Sequence, residues 1–442
     1  MPPALSPRIR ASYALGSVGT GGFGTLPGLV LSYYLTDSLS VTAGLAAVAV
    51  TLPKVWDVVI DPFIGRFSDR YAARHGSRAG YMLAGALLLP VTFTAVFAAP
   101  LTGPAAALWV ILAFVAATSA YSLFQVPYIA LPADLAPDYH SRTHLLAPRI
   151  AVLAVAILLF GAGGPMIRDA AGGGRGGYLL MAVVCALVMS AAMLLTVGGA
   201  GRAARARQPD THSAQSSGAL RSGWWALRTS GPLRALLGTF VLQALATGAM
   251  LAAAQYVATY TLGKESAVTY LFAALVAPAL LVMVPARRLA DRVGKKRAFV
   301  AATALFVLAT ASLLQLVGTP GPWLYLSVAL AGVAYAGMQL YPLAMLPDVI
   351  AADRRRQGDR AGVISGVWTA GETAGLALGP TIALGVLALT GFISSTAAVQ
   401  PVQPDSALIG VVLIFSALPA ILAALSLLPL RHYHLEAKDV DT

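Results

Sequence analysis

The stretch Gly65-Arg-Phe-Ser-Asp69-Arg70 follows one long apolar run of this sequence, and Arg288-Leu-Ala-Asp291-Arg292-Val-Gly294-Lys295 follows another. The two Asp-Arg pairs are 222 residues apart. A second pair of stretches matches in the same way, Gln125-Val-Pro-Tyr-Ile-Ala-Leu-Pro-Ala-Asp134 and Gln339-Leu-Tyr-Pro-Leu-Ala-Met-Leu-Pro-Asp348, at an offset of 214 residues. Two matches that agree in order and nearly in offset indicate that the chain consists of two duplicated halves.

The composition around these stretches is that of a membrane protein. Of 442 residues, 58% are hydrophobic and only 11% are charged, and the mean hydropathy is +0.75. A soluble protein has about a quarter of its residues charged, so soluble enzymes, nucleic-acid-binding proteins and disordered scaffolds are excluded. A membrane-spanning helix needs about 20 apolar residues. The sequence therefore predicts an all-α membrane protein with twelve transmembrane helices, centred near residues 24, 51, 90, 118, 157, 188, 246, 278, 308, 335, 376 and 418.

These helices are predicted to form two pseudo-symmetric six-helix bundles. We place the bundles at residues 1–199 and 233–442, the second with a short cytoplasmic tail, and a cytoplasmic linker at 200–232. When the spans are threaded alternately, 25 of the 30 Lys and Arg residues fall on one side. The three that fall on the other side are Arg168, Arg175 and Lys264. Because basic residues mark the cytoplasmic side, we expect an inner-membrane or plasma-membrane protein with both termini in the cytoplasm.

Repeated halves around a site near the membrane midplane are typical of secondary transporters. The sequence contains no zinc-protease helix motif, nucleophile elbow or phosphate-binding loop, so we do not expect an enzyme. With one cysteine, Cys185, no disulfide framework or thiolate metal site is expected. The expected partners are a small-molecule substrate and the lipid bilayer, without nucleic acid. We expect a monomer with no cofactor other than a coupling ion.

The second predicted helix contains Lys54-Val-Trp56-Asp57-Val-Val-Ile-Asp61-Pro62-Phe-Ile-Gly65. Together with the Asp-Arg loops, this element resembles the second-helix motif of the glycoside–pentoside–hexuronide cation symporters of the major facilitator superfamily. Further matches are Ser12-Tyr13, Gln125-Val-Pro127-Tyr128 and Pro148-Arg149. The resemblance implies the major facilitator fold and symport of a small organic solute, a sugar or glycoside, coupled to H⁺ or Na⁺ by alternating access. Carriage of a lysolipid or organic anion, and proton-coupled export, are the alternatives.

Asp57 and Asp61 are the sharpest chemical feature of the sequence. A spacing of four places both carboxylates on one helical face, about 6 Å apart. Carboxylates inside a membrane need a proton, a cation or a basic partner, and a salt bridge between Lys54 and Asp57 is the structural alternative. In the resembling family, a Thr where Ser122 stands and an Asn where Ile60 stands bind the cation. We therefore predict a coupling site of Asp57, Asp61 and Ser122, in which the two aspartates are metal ligands if the ion is Na⁺.

The predicted substrate contacts are Tyr121, Gln125, Arg149, Trp368 and Glu372. The family resemblance carries over to Tyr121 and Arg149. The family's acidic residues are replaced by Thr20-Gly21-Gly22 in the first helix and by Gln125 in the fourth, and its sugar-stacking aromatic is replaced by Ile129. A guanidinium grips carboxylate or phosphate in a fork, so Arg149 favours an anionic or less hydroxyl-dependent ligand. Alternatively, Arg149 extends to the cytoplasmic surface.

The sequence leaves more than one role open for Glu372 and Trp368. Glu372, inside the eleventh predicted helix, could relay protons, pair with Arg149, receive a cationic group or remain a neutral buried carboxyl. Trp368, one turn earlier, could be a substrate platform, an interfacial anchor or a packing residue. The loop residues are predicted to latch the halves in one gating state, and they are Asp69, Arg70, Asp291 and Arg292.

Overall fold

The computed structural model describes residues 6–135, 139–206, 225, 227–318, 320–357, 361–396 and 401–435. Within these ranges, eleven helices are long and apolar enough to cross a membrane. A twelfth span is bent by 56° between its two parts, Ala267–Met283 and Pro285–Val293. The extended structure that the described residues show is a single antiparallel bridge between Leu39 and Thr396. The predicted all-α fold with twelve transmembrane helices is confirmed.

The first six helices are α1 Pro7–Leu26, α2 Ala43–His75, α3 Ala79–Phe97, α4 Gly103–Leu135, α5 Tyr139–Ala170 and α6 Gly174–Thr196. The next five are α7 Gly231–Tyr256, α8 Ala267–Val293, α9 Lys295–Ser312, α10 Trp323–Gln357 and α11 Ala361–Leu389. The last, α12, consists of Asp405–Phe415 and Ala417–Leu430 on either side of Ser416. Short π-helical turns extend the ends of α1, α6 and α7.

Each helix that carries a repeated Asp-Arg pair ends at a glycine with positive φ, so the pairs predicted in loops are helical. At the end of α2, Gly76 has φ 71° and its N–H donates to the Ala72 carbonyl at 2.7 Å. At the end of α8, Gly294 has φ 89° and its N–H donates to the Ala290 carbonyl at 2.9 Å. Glycine adopts positive φ without steric cost, so the chain can turn away from the helix at these points. Both Asp-Arg pairs consequently lie in the last turns of long helices.

The chain divides into two compact units whose helices pair in the same pattern. In the first unit, α1 packs against α5 and α6, α3 packs against α4 and α6, and α2 packs against α4. In the second, α7 packs against α11 and α12, α9 packs against α10 and α12, and α8 packs against α10. Each of these helix contacts in the first unit therefore recurs in the second unit, between the two helices whose numbers are higher by six. A duplicated chain is expected to show this repetition.

The boundaries of these units add detail to the predicted domains. The first unit comprises Met1–Ala214 and Ile393–Val402, and the second comprises Gln215–Phe392 and Gln403–Thr442. The change of unit after Ala214 lies inside the predicted linker 200–232, of which residues 207–224 and 226 are outside the described residues. The start of that linker is helical, since π-helical and α-helical turns continue α6 as far as Ala206.

The segment after α11 joins the first unit through backbone hydrogen bonds. The Ser395 N–H donates to the Thr36 carbonyl, and the Ser40 N–H donates to the Ser395 carbonyl, both at 2.8 Å. Leu39 and Thr396 form the antiparallel bridge beside them. This pairing of the α11–α12 connection with the α1–α2 connection was not predictable, because a short-range sequence pattern carries no signal for such a long-range contact.

Small residues bring helices into close contact within each unit. A Cβ added at Gly85 of α3 would lie 2.6 Å from the Phe124 nitrogen and 2.7 Å from the Ala120 oxygen of α4. In the second unit, a Cβ added at Gly379 of α11 would lie 2.6 Å from the Gly248 Cα of α7. Because lipid tails are as apolar as the helices, such close packing is a main source of helix association in membranes.

We expect Gly85→Val to destabilise the protein by about 1–3 kcal/mol, since the atoms that the new side chain meets are backbone atoms that cannot rotate away. The matched control is Gly163→Val on α5, where a Cβ meets nothing within 4 Å. The measurement is the apparent melting temperature of each purified variant in detergent. Equal losses for the two variants would assign the effect to helix propensity and contradict the packing explanation.

Candidate functional site

The predicted acidic pair lies on α2, facing α4. Asp57 is 8% exposed, and its Oδ1 accepts a hydrogen bond of 2.8 Å from the Ser122 hydroxyl of α4. The same hydroxyl lies close to the Asp61 carboxyl. The structure therefore brings the three residues predicted as the coupling site together. Trp56 holds the same two helices by donating from its indole nitrogen to the Ser119 hydroxyl at 2.9 Å.

Asp61 differs from Asp57 in how its oxygens are satisfied. Its carboxyl is half-buried, and the buried Oδ1 has no hydrogen-bond partner among the described residues. An unpaired buried carboxylate oxygen is costly, and the cost is removed when the group takes up a proton or a cation. Pro62, which follows directly, has no N–H and leaves one carbonyl of the preceding turn without its helical donor. This part of α2 is therefore suited to bind a positive charge.

Lys54 lies one turn before Asp57 but does not form the salt bridge that this spacing allows. Its ammonium lies 5.7 Å from the ring centroids of both Phe23 and Phe114, and no salt bridge of Lys54 occurs within the described ranges. Lys54 nevertheless interacts electrostatically with both aspartates. Aromatic faces attract a cation, and the attraction grows when water is excluded. The lysine can thus balance one of the two negative charges without occupying their oxygens.

Tyr121 connects the acidic pair with a second cluster. Its ring stacks on Phe23 with centroids 4.2 Å apart and planes inclined by 12°. Tyr121 interacts electrostatically with Asp57, Asp61 and Arg149. Tyr121 is therefore within electrostatic range of both the predicted coupling residues and the predicted anion-binding arginine. The sequence analysis missed the contribution of Phe23, because a single aromatic residue in an apolar helix is usually a packing residue.

The second cluster is formed by Arg149 of α5 and two tyrosines. The Arg149 Cζ lies 5.0 Å from the ring centroid of Tyr128 and 6.0 Å from that of Tyr13. Tyr128 is fixed in place, because its hydroxyl donates to the Tyr13 carbonyl at 2.8 Å and lies 3.1 Å from the Ser17 hydroxyl. The guanidinium lies over aromatic rings inside the first unit, which favours the predicted binding role over extension to the surface.

Gln125 lies on α4 one turn after Tyr121 and Ser122. Its side chain is half-buried, and its Oε1 is a buried atom for which the described residues provide no hydrogen-bond partner. A buried amide oxygen without a partner is unfavourable unless a ligand or water donates to it. Gln125 therefore has a buried acceptor that a water or a hydroxyl group could satisfy, and its role as a substrate contact stays a prediction.

The two remaining predicted substrate contacts belong to the second unit. Glu372 of α11 interacts electrostatically with Tyr335 of α10, whose hydroxyl accepts a hydrogen bond of 2.8 Å from Gln339. Trp368 is 3% exposed and stacks on Phe240, with ring centroids 4.5 Å apart. Trp368 thus lies in the packing of α11 against α7, whereas Glu372 belongs to a polar cluster.

The predicted gating residues lie at the ends of α2 and α8. Asp69 accepts hydrogen bonds from Arg78 Nε at 3.1 Å and Nη2 at 2.9 Å, across the α2–α3 turn. In the second unit the ion pair is formed by Lys295 and Asp348, with Nζ and Oδ2 2.7 Å apart. The other three predicted gating residues are exposed, and they are Arg70, Asp291 and Arg292. The sequence did not indicate Arg78 as the partner of Asp69.

A sequence profile described as "MFS/sugar transport protein" matches residues 12–437 of the chain. The chain belongs to this family. The predicted membership of the major facilitator superfamily is thereby confirmed, and the protein is an integral membrane protein of a transporter family. The family membership also agrees with the sequence-based expectation that the chain is not a soluble enzyme.

Three curated relatives of this MFS/sugar transport protein are bacterial. A putative glycoside/cation symporter of Escherichia coli, YagG, is 25% identical over 165 residues, which are 37% of this chain and 36% of the relative. The uncharacterized symporter YnaJ of Bacillus subtilis is 22% identical over 444 residues, covering 97% of this chain and 92% of the relative. A glucuronide carrier protein homolog of Escherichia coli is 27% identical, covering 38% and 37% of the two chains. The matches to the two Escherichia coli relatives thus span little more than a third of those proteins.

Solved structures agree with the fold of the MFS/sugar transport protein. The nucleoside transporter NupG superposes with a TM-score of 0.69 at 14% identity, covering 96% of this chain and 99% of that one. A bacterial homolog of the human lysosomal transporter Spinster superposes with a TM-score of 0.65 at 11% identity, covering 98% and 97%. At such low identities the likeness shows the fold alone.

We expect Ser122→Ala to change the ion concentration for half-maximal transport about tenfold, because the hydroxyl donates a charge-assisted hydrogen bond that stabilises the ionised Asp57 carboxylate. A proton should then bind more tightly in the variant, whereas Na⁺ would lose an oxygen ligand and bind more weakly. The measurement is the ion concentration that gives half-maximal transport. Ser119→Ala is the control, since Ser119 lies one turn earlier on α4 and bonds Trp56 instead of a carboxylate. An unchanged ion dependence in Ser122→Ala would remove this residue from the site.

Proposed function

We propose that this MFS/sugar transport protein is a cation-coupled symporter that works by alternating access and binds its coupling ion at Asp57 and Asp61. The observation that carries the proposal is the buried Asp61 oxygen without a partner, beside a second carboxylate that Ser122 already satisfies. The names of two relatives, a glycoside/cation symporter and an uncharacterized symporter, support the proposal.

The coupling ion that we propose is a proton. Lys54 can balance the charge of one aspartate, so a single added positive charge neutralises the group. Na⁺ would need several oxygen ligands, and the position before Asp61 is Ile60, which offers none from its side chain. A proton needs only the one free carboxylate oxygen.

The substrate that we propose is a glycoside bearing a carboxylate. The guanidinium of Arg149 supplies a fork that matches a carboxylate. Because it already lies over the rings of Tyr13 and Tyr128, its side chain loses little conformational entropy when a ligand binds. Tyr121 and Gln125 supply an aromatic face and a hydrogen-bonding amide for the sugar. The name of the glucuronide carrier protein homolog is consistent with this substrate class.

We further propose that both termini face the cytoplasm and that the loop ion pairs hold gating states. Arg168 and Arg175 are two of the three basic residues predicted on the side opposite the cytoplasm. They lie at the end of α5 and the start of α6. We assign the pairs Asp69–Arg78 and Lys295–Asp348 to the basic side, because they lie beside the basic stretches at the ends of α2 and α8. Charge pairs that form in one state and open in the other are a usual way to bias a transition.

The test is uptake of phenyl glucuronide and methyl glucoside into proteoliposomes under an inward proton gradient, an inward Na⁺ gradient or no gradient. We expect accumulation of the glucuronide under the proton gradient and much weaker uptake of the neutral glucoside. Accumulation under the Na⁺ gradient alone would replace the proton by Na⁺. Uptake that never exceeds equilibration under any gradient would refute symport.

A further inference from the structure

The lining of a groove on the second unit contains none of the predicted substrate and ion contacts. The groove encloses about 540 Å³ between the start of α7 and the end of α12. The residues lining it are Leu227, Arg228, Arg234, Leu237, Gly238, Val241, Leu242 and Pro429. We propose that this groove binds one anionic phospholipid, with its phosphate at Arg228 and Arg234 and an acyl chain along the apolar wall.

The order of the lining residues along α7 matches the order of groups in a lipid. Arg228 precedes α7 and Arg234 lies in its first turn, whereas Leu237, Val241 and Leu242 follow farther along the span. From Arg234 to Leu242 the helix rises about 12 Å. The groove is therefore charged where the span begins and apolar farther into it, as a phospholipid is charged at its headgroup and apolar along its chains.

The Arg234 side chain is held against the Arg228 backbone at the headgroup end. Arg234 Nη1 donates to the Arg228 carbonyl at 3.1 Å, and both residues are exposed. The start of α7 is fixed by Ser230, whose hydroxyl accepts from the Leu233 N–H at 3.4 Å. The described lining contains two basic residues and no acidic residue. A basic residue at a membrane surface attracts anionic lipids, so the two arginines favour an anionic over a zwitterionic lipid in the groove.

Gly238 keeps the middle of the groove open. A Cβ at this position would lie 3.5 Å from the Pro429 Cβ and 3.8 Å from its Cγ, which is ordinary contact. Because no described backbone atom of another helix lies within 4 Å of that Cβ, we expect a larger side chain at residue 238 to take up groove volume beside Pro429. The structure thus offers one variant that removes the charge of the site and another that removes its volume.

The experiment measures thermal stabilisation of the purified full chain in detergent, titrated with phosphatidylglycerol, phosphatidylcholine or inorganic phosphate. We expect saturable stabilisation by phosphatidylglycerol, weaker stabilisation by phosphatidylcholine and none by phosphate. Half-saturation by phosphatidylglycerol should rise about fivefold for each arginine removed and about 25-fold in Arg228→Gln/Arg234→Gln. Gly238→Leu should abolish the response to both lipids.

The matched control is Arg8→Gln/Arg202→Gln, which removes the same charge at two exposed residues of the first unit. Its titration should equal that of the unmodified protein. Equal half-saturation by the two lipids, or by phosphatidylglycerol in the groove double variant and the control, would overturn the proposal. A response to inorganic phosphate as strong as that to phosphatidylglycerol would also overturn it, since the site would then take an anion without a chain.

Discussion

Asp61→Asn should abolish accumulation of solute against its gradient while exchange of solute across the membrane continues. The amide has nearly the shape of a protonated carboxyl but cannot release a proton, so the site stays locked in the equivalent of its ion-loaded form. A pH gradient of one unit supports about tenfold accumulation when one proton accompanies each solute. In the variant this ratio should fall to one. The measurement is gradient-driven uptake beside counterflow exchange in the same proteoliposomes.

Two further variants distinguish coupling from damage. Asp61→Glu keeps an ionisable group and should retain part of the accumulation, with altered pH dependence. Asp405→Asn removes an exposed acid in the first turn of α12 and should accumulate solute normally. If Asp61→Asn accumulated solute as well as the unmodified protein, Asp61 would not carry the coupling ion. Exchange lost together with accumulation would indicate a structural role for its carboxyl.

The fold of this protein was largely predictable because the bilayer constrains it strongly. Every backbone polar group inside the membrane must form its hydrogen bond within the protein. A run of about 20 apolar residues meets this requirement by forming a helix. The twelve predicted spans are all present, and the duplication of stretches such as Gly65–Arg70, which lies within α2, is matched by the repeated pairing of helices. The packing of Ser395 and Thr396 against the end of α1 was not predictable, since backbone pairing over more than 350 residues leaves no local pattern.

The candidate site was predictable in its charges but not in its aromatic surroundings. Asp57, Asp61 and Arg149 stood out because few charged residues occur within the spans. The helical spacing also suggested a Lys54–Asp57 salt bridge, whereas the ammonium lies over Phe23 and Phe114. Spacing along one helix cannot show which face of a neighbouring helix a long side chain meets. Tertiary packing of α1 and α4 around α2 decides that contact.

Arg149→Gln should weaken transport of a carboxylate-bearing glycoside about 100-fold in apparent affinity and leave a neutral glycoside within about threefold. The difference arises because two charge-assisted hydrogen bonds to the carboxylate are lost, whereas a neutral glycoside never makes them. Arg149→Lys should recover only part of the affinity, since an ammonium is a point charge that cannot present the planar fork. The measurement is concentration-dependent counterflow of phenyl glucuronide and methyl glucoside.

The comparison of the two solutes separates recognition from folding. A protein destabilised by loss of the Arg149 contact with Tyr13 and Tyr128 would transport both solutes less well, and by a similar factor. Arg202→Gln removes an exposed arginine and should change neither affinity. Because Tyr121 interacts electrostatically with Arg149 and with both aspartates, the arginine variant should also alter how strongly solute transport depends on the proton gradient. Selective loss of the glucuronide would therefore place Arg149 in the substrate site, and equal loss of both solutes would exclude it.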